Sequence, residues 1–175
     1  MNEIKNFLLT GLPGVGKTTI IKKVVERYKD KCAGFYTEEI RENNTRVGFK
    51  LITLSGNSCI MAHKDIKSSY KVGKYGVDLK CIDYIGVDAI KKAIVENKIV
   101  IIDEIGKMEL YSHKFRDVVI ETLNSKCPVL ATILYSSNPF CDRIKERKDT
   151  KIFEVTLANR DTLPEQIIEL LIQRD

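Results

Sequence analysis

The sequence contains no tryptophan, only four prolines and ten glycines, and no long apolar segment. So little proline and glycine leaves no stretch with the composition of a long linker or a disordered tail. The longest strongly apolar runs, such as residues 99–102, span four or five residues, far short of the roughly 20 that a membrane-spanning helix needs. Residues 1–5 lack a basic segment followed by a long apolar one, so we expect no signal peptide and a cytoplasmic protein.

Cysteine and histidine are too few and too scattered to form a familiar zinc site. The five cysteines are odd in number and include no C-x-x-C pair, and only two histidines accompany them. Because no zinc-ligand spacing is present, we predict reduced, mostly buried thiols. The residues concerned are Cys32, Cys59, Cys81, Cys127 and Cys141, together with His63 and His113.

What is present is the composition of a globular domain. The chain has 175 residues, of which 43% are hydrophobic and 30% are charged, and we expect one domain over residues 1–175 that acts as a monomer. Its net charge of +5 suits either nucleic acid or a nucleotide that carries several negative charges. No stripe of lysine and arginine is interleaved with aromatic residues, so we do not expect nucleic acid as the main partner.

Segments with the apolar character of buried strands alternate along the chain with segments of helical periodicity. This alternation predicts an α/β fold with a mostly parallel sheet and helices on both faces. Between the first helix and a glycine-containing loop at 65–80, aromatic and β-branched segments predict a small antiparallel β insertion at about 33–62. The predicted strands are 4–10, 99–102, 129–134 and 152–155; the predicted helices are 17–30, 83–97, one capped by Ser112, 140–147, and one opened by a capping box of Thr162 and Glu165.

A glycine-rich segment between the first strand and the first helix matches the pattern G-x-x-x-x-G-K-[ST] in full. Glycine lets several backbone N–H groups approach phosphate oxygens closely, and the following helix adds its positive end. Lys17 can then reach the β- and γ-phosphates, and the Thr18 hydroxyl is a hard oxygen ligand suited to Mg²⁺. We therefore predict a site for a nucleoside triphosphate with Mg²⁺, in preference to a glycine turn that binds nothing. The segment consists of Gly11, Leu12, Pro13, Gly14, Val15, Gly16, Lys17 and Thr18.

Two adjacent acids, Asp103 and Glu104, follow the apolar residues 99–102. A carboxylate at the C-terminal end of a parallel strand lies beside the phosphate loop, so we predict that Asp103 helps to bind Mg²⁺. Hydrolysis also needs a group that orients water, and Glu104 and Glu109 are both candidates. Spacing does not choose between them; we favour Glu104, which can project towards the metal and the water together with Asp103. The alternative for each glutamate is a surface ion pair.

Together with the phosphate loop, residues 103–110 resemble the small stand-alone nucleoside-triphosphatase family first known from thermophiles, which includes the cancer-related nucleoside triphosphatases of animals. The resemblance runs over nearly the whole chain in the expected order. Further matching segments are 34–41, 46–49, 72–77, 139–144 and 159–161.

The resemblance implies a three-layer P-loop NTPase fold, related to nucleotide kinases, and hydrolysis of ATP, GTP, CTP, UTP and related triphosphates to the diphosphate and phosphate. One segment departs from the family. Residues 132–137 read Thr-Ile-Leu-Tyr-Ser-Ser where a histidine or an arginine is expected, which leaves one polar contact to the nucleotide open. Outside the phosphate loop, the implied nucleotide contacts are Val100, Ile101, Ile102, Asp103, Glu104, Ile105, Gly106 and Lys107.

Charge that develops on the γ-phosphoryl group usually needs a further cation. We rank Arg143 first, because it lies in a short helix after the strand at 129–134. By analogy of fold we expect the base near Asn159 and Arg160, with a simple turn as the alternative. This segment is not the Asn-Lys-x-Asp pattern of guanine-specific enzymes, so we predict weak base discrimination. The other candidate cations, each with a solvated surface residue as its alternative, are Lys107, Lys71, Lys74, Arg41 and Arg46.

Two other functions would use the same phosphate loop. A nucleotide or polynucleotide kinase would transfer the γ-phosphate to an acceptor hydroxyl behind a closing lid. No arginine-rich lid segment is present, although residues 65–80 are a candidate. A nucleotide-gated binding module or RNA partner is the third function. Of the three, the sequence favours hydrolysis.

Overall fold

Nine strands join one sheet in the computed structural model, which describes residues 3–174. None of the helices in this range is long and apolar enough to cross a membrane. From residues 1–5 the sequence predicted no signal peptide, and two of these residues, Met1 and Asn2, lie outside the described range. The strands are β1 (Asn6–Thr10), β2 (Cys32–Glu42), β3 (Thr45–Thr53), β4 (Ser58–His63), β5 (Lys71–Val72), β6 (Tyr75–Val77), β7 (Ile99–Ile105), β8 (Val129–Ile133) and β9 (Thr150–Glu154).

Six α-helices are described, some of them extended by other helical turns. A π-helical segment, Ile82–Gly86, joins the second helix to the third, and 3₁₀ turns lie at Lys29–Lys31 and Glu109–Tyr111. The helices are α1 (Lys17–Arg27), α2 (Leu79–Cys81), α3 (Val87–Val95), α4 (His113–Asn124), α5 (Pro139–Lys145) and α6 (Leu163–Ile172).

The sheet has the strand order β5-β6-β4-β3-β2-β7-β8-β1-β9. Strands β2, β7, β8, β1 and β9 are parallel, whereas β2 to β6 pair in antiparallel fashion. Strand β2 belongs to both parts, because residues 32–35 pair with residues 99–102 of β7 and residues 35–42 pair with β3. The antiparallel strands expected at about 33–62 are therefore continuous with the parallel sheet through β2.

The parallel strands are apolar on both faces because helices cover both faces. Along β7, Ile99 and Ile101 share a core with α1 and α6, whereas Val100 and Ile102 share a core with α3 and α4. The predicted α/β fold with three layers is thus confirmed. It brings the C-terminal ends of β1, β7 and β8 to the same edge of the sheet, which is where the phosphate loop begins.

Two local predictions are wrong. Residues 65–80, predicted to be a loop, contain β5 and β6, which pair as a short hairpin. The capping box before the last helix does not form, because Thr162 itself has helical backbone angles and its hydroxyl donates to the Asn159 carbonyl at 3.1 Å. The predicted cap at Ser112 is confirmed, since its hydroxyl accepts the N–H of Phe115 at 3.0 Å.

The prediction of reduced thiols is wrong for Cys59 and Cys81, which form a disulfide bond. These residues are 22 positions apart in the sequence. The packing of α2 on β4 brings their Cα atoms to 5.7 Å, a proximity that spacing along the chain does not reveal. The prediction is confirmed for the other three cysteines, Cys32, Cys127 and Cys141, which are free and buried.

Candidate functional site

The phosphate loop joins β1 to α1, and its backbone requires glycine. Gly11, Gly14 and Gly16 have φ angles of 148°, 76° and 114°, which residues with a Cβ rarely adopt. A Cβ on Gly11 would also lie 2.7 Å from the carbonyl oxygen of Val155. Gly16 precedes α1 and has no side chain to cap the helix, so the first N–H groups of α1 remain directed at the loop.

Lys17, the first residue of α1, folds its side chain back across this loop. Its Nζ atom donates to the carbonyl oxygens of Gly11 and Leu12 at 2.8 Å and 3.0 Å. The ammonium group therefore lies among backbone groups that converge on one small space. A polyphosphate in that space would offer charged acceptors in place of the two carbonyl oxygens.

Asp103, on β7, lies at the centre of a hydrogen-bond network that joins three elements of the fold. Its Oδ2 atom accepts the hydroxyl of Thr18 at 2.7 Å, and its Oδ1 atom accepts the hydroxyl of Thr132 at 2.6 Å. The backbone of Thr37, on β2, also lowers the pKa of the same carboxyl group. Because β8 lies between β1 and β7, it carries Thr132 to a position beside both the phosphate loop and Asp103.

Two opposing effects act on the Asp103 carboxyl group. It is 3% exposed, and burial raises its pKa above the usual value. The hydroxyls of Thr132 and Thr18 and the charge of Lys17 oppose this rise, because each of them favours the ionised form. The sequence prediction included Thr18 and Asp103 but missed Thr132 and Thr37, whose roles depend on which strands are neighbours.

Glu104 and Glu109 form a cluster of carboxyl groups with Asp103. The side chain of Glu104 is partly exposed and lies over Gly106, where an added Cβ would be 2.3 Å from Oε1. Glu109 is 4% exposed in the 3₁₀ turn that follows β7. The peptide bond between Asp103 and Glu104 is cis.

Burial raises the pKa of both glutamates. For Glu104 the charge of Asp103 adds to the rise, and for Glu109 the charge of Glu104 does so. Neither glutamate takes part in an ion pair with any residue from 3 to 174, so the alternative of a surface ion pair finds no support.

The segment 100–107 divides into core and surface. Residues 100–102 and Ile105 are 0% exposed and belong to the hydrophobic core, and Val15 of the phosphate loop packs against the part of the core that contains Ile101. Gly106 is buried beneath Glu104, and Lys107 is exposed. Of the nucleotide contacts that the resemblance implies in this segment, only Asp103 has a side chain bonded to the phosphate-loop region.

The candidate cations differ in what already surrounds them. Arg143 on α5 is exposed and forms no ion pair within the described part of the chain. Arg41 and Arg46, on the hairpin of β2 and β3, both pair with Glu39, at 2.7 Å and 3.1 Å, so two guanidinium groups share one carboxylate. The remaining candidates, Lys107, Lys71 and Lys74, are exposed.

In the segment expected to lie near the base, Asn159 and Arg160 have different surroundings. The side chain of Asn159 accepts the N–H of Thr156 and donates to the carbonyl of Glu154, both at 2.8 Å, so it closes a turn, as the alternative interpretation proposed. Arg160 is exposed and lies against the phosphate loop, with Nη1 3.5 Å from the carbonyl oxygen of Val15. Of the two residues, only Arg160 has a side chain free to face a nucleotide.

A glycine-rich loop lies between a buried parallel strand and a helix, and Asp103 of β7 is bonded to Thr18, the residue after Lys17. This arrangement defines a P-loop NTPase fold. A family model described as NTPase matches residues 6–168. The chain therefore belongs to this NTPase family, an enzyme family, and the resemblance noted from the motifs is confirmed.

Relatives cover this chain almost from end to end. The nucleoside-triphosphatase THEP1 of Thermotoga maritima is 51% identical over 164 residues, which are 94% of each chain. The crystal structure of THEP1 from the hyperthermophile Aquifex aeolicus is 39% identical, with a TM-score of 0.89 over 95% of this chain and 98% of that one. The solution structure of a human cancer-related nucleoside triphosphatase is 35% identical, with a TM-score of 0.81 over 98% of this chain and 97% of that one.

Proposed function

We propose that this protein hydrolyses nucleoside triphosphates to the diphosphate and phosphate, with Mg²⁺ as cofactor and little discrimination between bases. ATP, GTP, CTP and UTP are the expected substrates. The observation that carries the proposal is the 2.7 Å contact between Thr18 and Asp103, directly beside the loop that Lys17 crosses. The nucleoside triphosphatases among the relatives support the same reaction.

The residues beside the phosphate loop fit a magnesium ion without enclosing it. Thr18 and Asp103 supply hard oxygen atoms, the ligand type that Mg²⁺ prefers. Nowhere between residues 3 and 174 are three or more histidine, cysteine or acidic side chains arranged to hold a metal by themselves. This suits an ion that keeps water and phosphate oxygens among its ligands. Thr18 and Asp103 would hold the ion, which would supply positive charge to offset that of the phosphate groups.

The chain's own residues then bind the triphosphate and prepare the water. Lys17 exchanges the carbonyls of Gly11 and Leu12 for phosphate oxygens, and the N–H groups of the loop bind the remaining oxygens. We assign the orientation of water to Glu104, because its carboxyl group is beside Asp103 and partly open to solvent. A raised pKa also suits a group that accepts a proton near neutral pH.

Weak base discrimination follows from the surroundings of Arg160. A guanidinium group can stack on any base through its planar face, and it selects none of them by hydrogen-bond pattern alone. The amide of Asn159, which would be the discriminating group, is already bonded within its turn.

The test is phosphate release from each of the four triphosphates, with Mg²⁺ and with a chelator. We expect Lys17→Ala to lose nucleotide affinity and turnover, and Glu104→Gln to lose turnover while it keeps affinity. Lys23→Ala is the matched control, because Lys23 is an exposed lysine on the same helix. Persistent Mg²⁺–nucleotide binding and catalysis in Lys17→Ala would refute the proposal. Transfer of phosphate to an added nucleoside monophosphate or polynucleotide, with none released to water, would replace it with a kinase.

A further inference from the structure

Positive charge is concentrated in residues 64–80, which follow β4 and include the edge strand β5 of the sheet. The segment holds five lysines and two aspartates, hence a net charge of +3 in a chain whose net charge is +5. Within residues 3–174, Lys67, Lys71 and Lys80 form no ion pair. Because these three charges are not compensated by protein groups, they attract an anionic partner.

Two exposed tyrosines lie in contact beside these lysines. Tyr70 precedes β5, whereas Tyr111 belongs to the turn that follows β7, and its hydroxyl donates to the carbonyl of Lys71 at 2.7 Å. The ring centroids of the two tyrosines are 5.3 Å apart, and the residues are 41% and 39% exposed. Aromatic rings contribute most when they bury their faces, so an exposed pair offers a place for a flat group to stack.

The protein surface around Tyr70 is concave. Two adjoining grooves, of about 750 Å³ and 270 Å³, share Lys67 in their walls. Lys71 lines the larger groove, and Tyr70 and Lys80 line the smaller one. We call Lys67, Tyr70, Lys71, Lys80 and Tyr111 the tyrosine–lysine surface. The stripe of lysines and aromatic residues that the sequence lacks is thus assembled by the fold from two distant segments.

Main-chain contacts hold this surface in shape. A Cβ on Gly76 of β6 would lie 2.0 Å from the carbonyl oxygen of Ile66, so the two backbones touch. The N–H of Val77 donates to the carbonyl of Tyr70 at 2.9 Å, and the N–H of Tyr70 donates to the hydroxyl of Ser68 at 3.0 Å. A surface that is already ordered loses less conformational entropy when a partner binds.

The chemistry of the tyrosine–lysine surface favours single-stranded nucleic acid over other anions. Stacking on a tyrosine needs an unpaired base, which a duplex does not offer, and lysines beside the rings bind the phosphates between such bases. An acidic polypeptide would use the lysines but leave the two tyrosines without a role.

We propose that the tyrosine–lysine surface binds single-stranded nucleic acid. Bases stack on Tyr70 and Tyr111, and phosphates are bound by Lys67, Lys71 and Lys80. None of these residues belongs to the phosphate loop or to the hydrogen bonds of Asp103. Binding of a strand is therefore independent of triphosphate hydrolysis, and a protein that releases no phosphate would still show it.

Fluorescence anisotropy with labelled RNA and DNA strands of about 12 nucleotides measures this binding. We expect a duplex of the same length to bind at least about tenfold more weakly than the single strands, because its bases are already stacked. Tyr70→Ala should weaken strand binding by about 5- to 100-fold, whereas Tyr70→Phe keeps the ring and should stay within about twofold of wild type. Either strand type bound in this way supports the proposal, and the ratio of the two affinities identifies the natural one.

The salt dependence tests the lysines. In the double variant Lys67→Gln/Lys80→Gln, the slope of log affinity against log salt concentration should fall by about 1 to 1.5, because two phosphate contacts are lost. Lys126→Gln is the matched control, because Lys126 is an exposed lysine outside this surface, and its affinity should stay within about twofold of wild type.

Several results would overturn the proposal. Equal affinity for strand and duplex, or unchanged affinity in Tyr70→Ala, would show that no base stacks there. A loss in Lys126→Gln as large as in the double variant would reduce the binding to net charge. Displacement of the strand by excess Mg²⁺–ATP would place it on the phosphate loop instead. Polyglutamate that binds as tightly as the strand, with no effect of Tyr70→Ala, would assign the surface to acidic polypeptides. If Tyr70→Ala does not fold, the duplex comparison and the lysine variants still decide.

Discussion

The substitution Thr132→Val tests whether the hydrogen bond from Thr132, on β8, holds the Asp103 carboxyl group in place. Thr132 is fully buried, and its hydroxyl donates to Asp103 Oδ1 at 2.6 Å. Valine keeps the branched shape of threonine but has no hydroxyl, so the substitution removes one of the donors that face Asp103 and opens almost no cavity. The hydroxyl of Thr18 remains as a donor.

The magnitude follows from the charge of the acceptor. A hydrogen bond to a charged group contributes about 1.5–3 kcal/mol, and more where the acceptor cannot turn to water. Since Asp103 is 3% exposed, we expect the full range to apply to the free energy of unfolding. For a chain of this size each kcal/mol corresponds to about 2–4 °C, so Tm should fall by about 3–12 °C.

Thermal unfolding without nucleotide, followed by binding of a Mg²⁺–triphosphate analogue, measures both consequences. Affinity should fall as well, because an Asp103 carboxyl group with one donor fewer is less well oriented towards Thr18. Thr132→Ser keeps the hydroxyl and should recover most of the affinity. Unchanged Tm and unchanged affinity in Thr132→Val would show that Asp103 does not depend on β8.

Three further outcomes are expected. Gly34→Ala should lower the free energy of unfolding in urea by about 3 kcal/mol or more, because φ is 125° and the new Cβ would lie 2.0 Å from the carbonyl oxygen of Ile101. Burial raises the pKa of Asp149, but hydrogen bonds from Arg147 outweigh this effect, so the folded pKa lies below the usual value. Asp149→Asn should therefore lower the free energy of unfolding by about 1–3 kcal/mol at pH 7. The difference between the two proteins should vanish as pH falls through the folded pKa. Arg143→Ala should slow phosphate release at least about tenfold without affecting Tm, and a change under about threefold would exclude it as the cation on the γ-phosphoryl group.

The features that the sequence predicted are local in the chain. The phosphate loop needs glycines, a lysine and a threonine within eight positions, and each requirement is visible in the residues themselves. Asp103 was predictable for the same reason, because it directly follows the apolar residues 99–102. The order of strands and helices was also predictable, since both the continuous apolar runs and the helical spacing are short-range patterns.

What the sequence missed depends on register and packing between distant segments. Thr132 and Thr37 look like ordinary strand residues until β8 and β2 are known to flank β7. The same applies to Cys59 and Cys81, which meet only because α2 packs on β4. Spacing could not rank Glu104 against Glu109, because the difference between them is one of burial.

The network around Asp103 also explains why the threonine hydroxyl at the start of α1 is suited to a cation. A hydroxyl group has one hydrogen atom and two lone pairs, and the Thr18 hydroxyl donates its hydrogen bond to Asp103. Both lone pairs of the Thr18 oxygen are then available to accept or to coordinate. Asp103 can keep accepting this hydrogen bond only if its carboxyl group does not rotate, and the bond from Thr132 opposes that rotation. A buried strand neighbour of β7 thus sets the direction of a hydroxyl on α1, beside the phosphate loop.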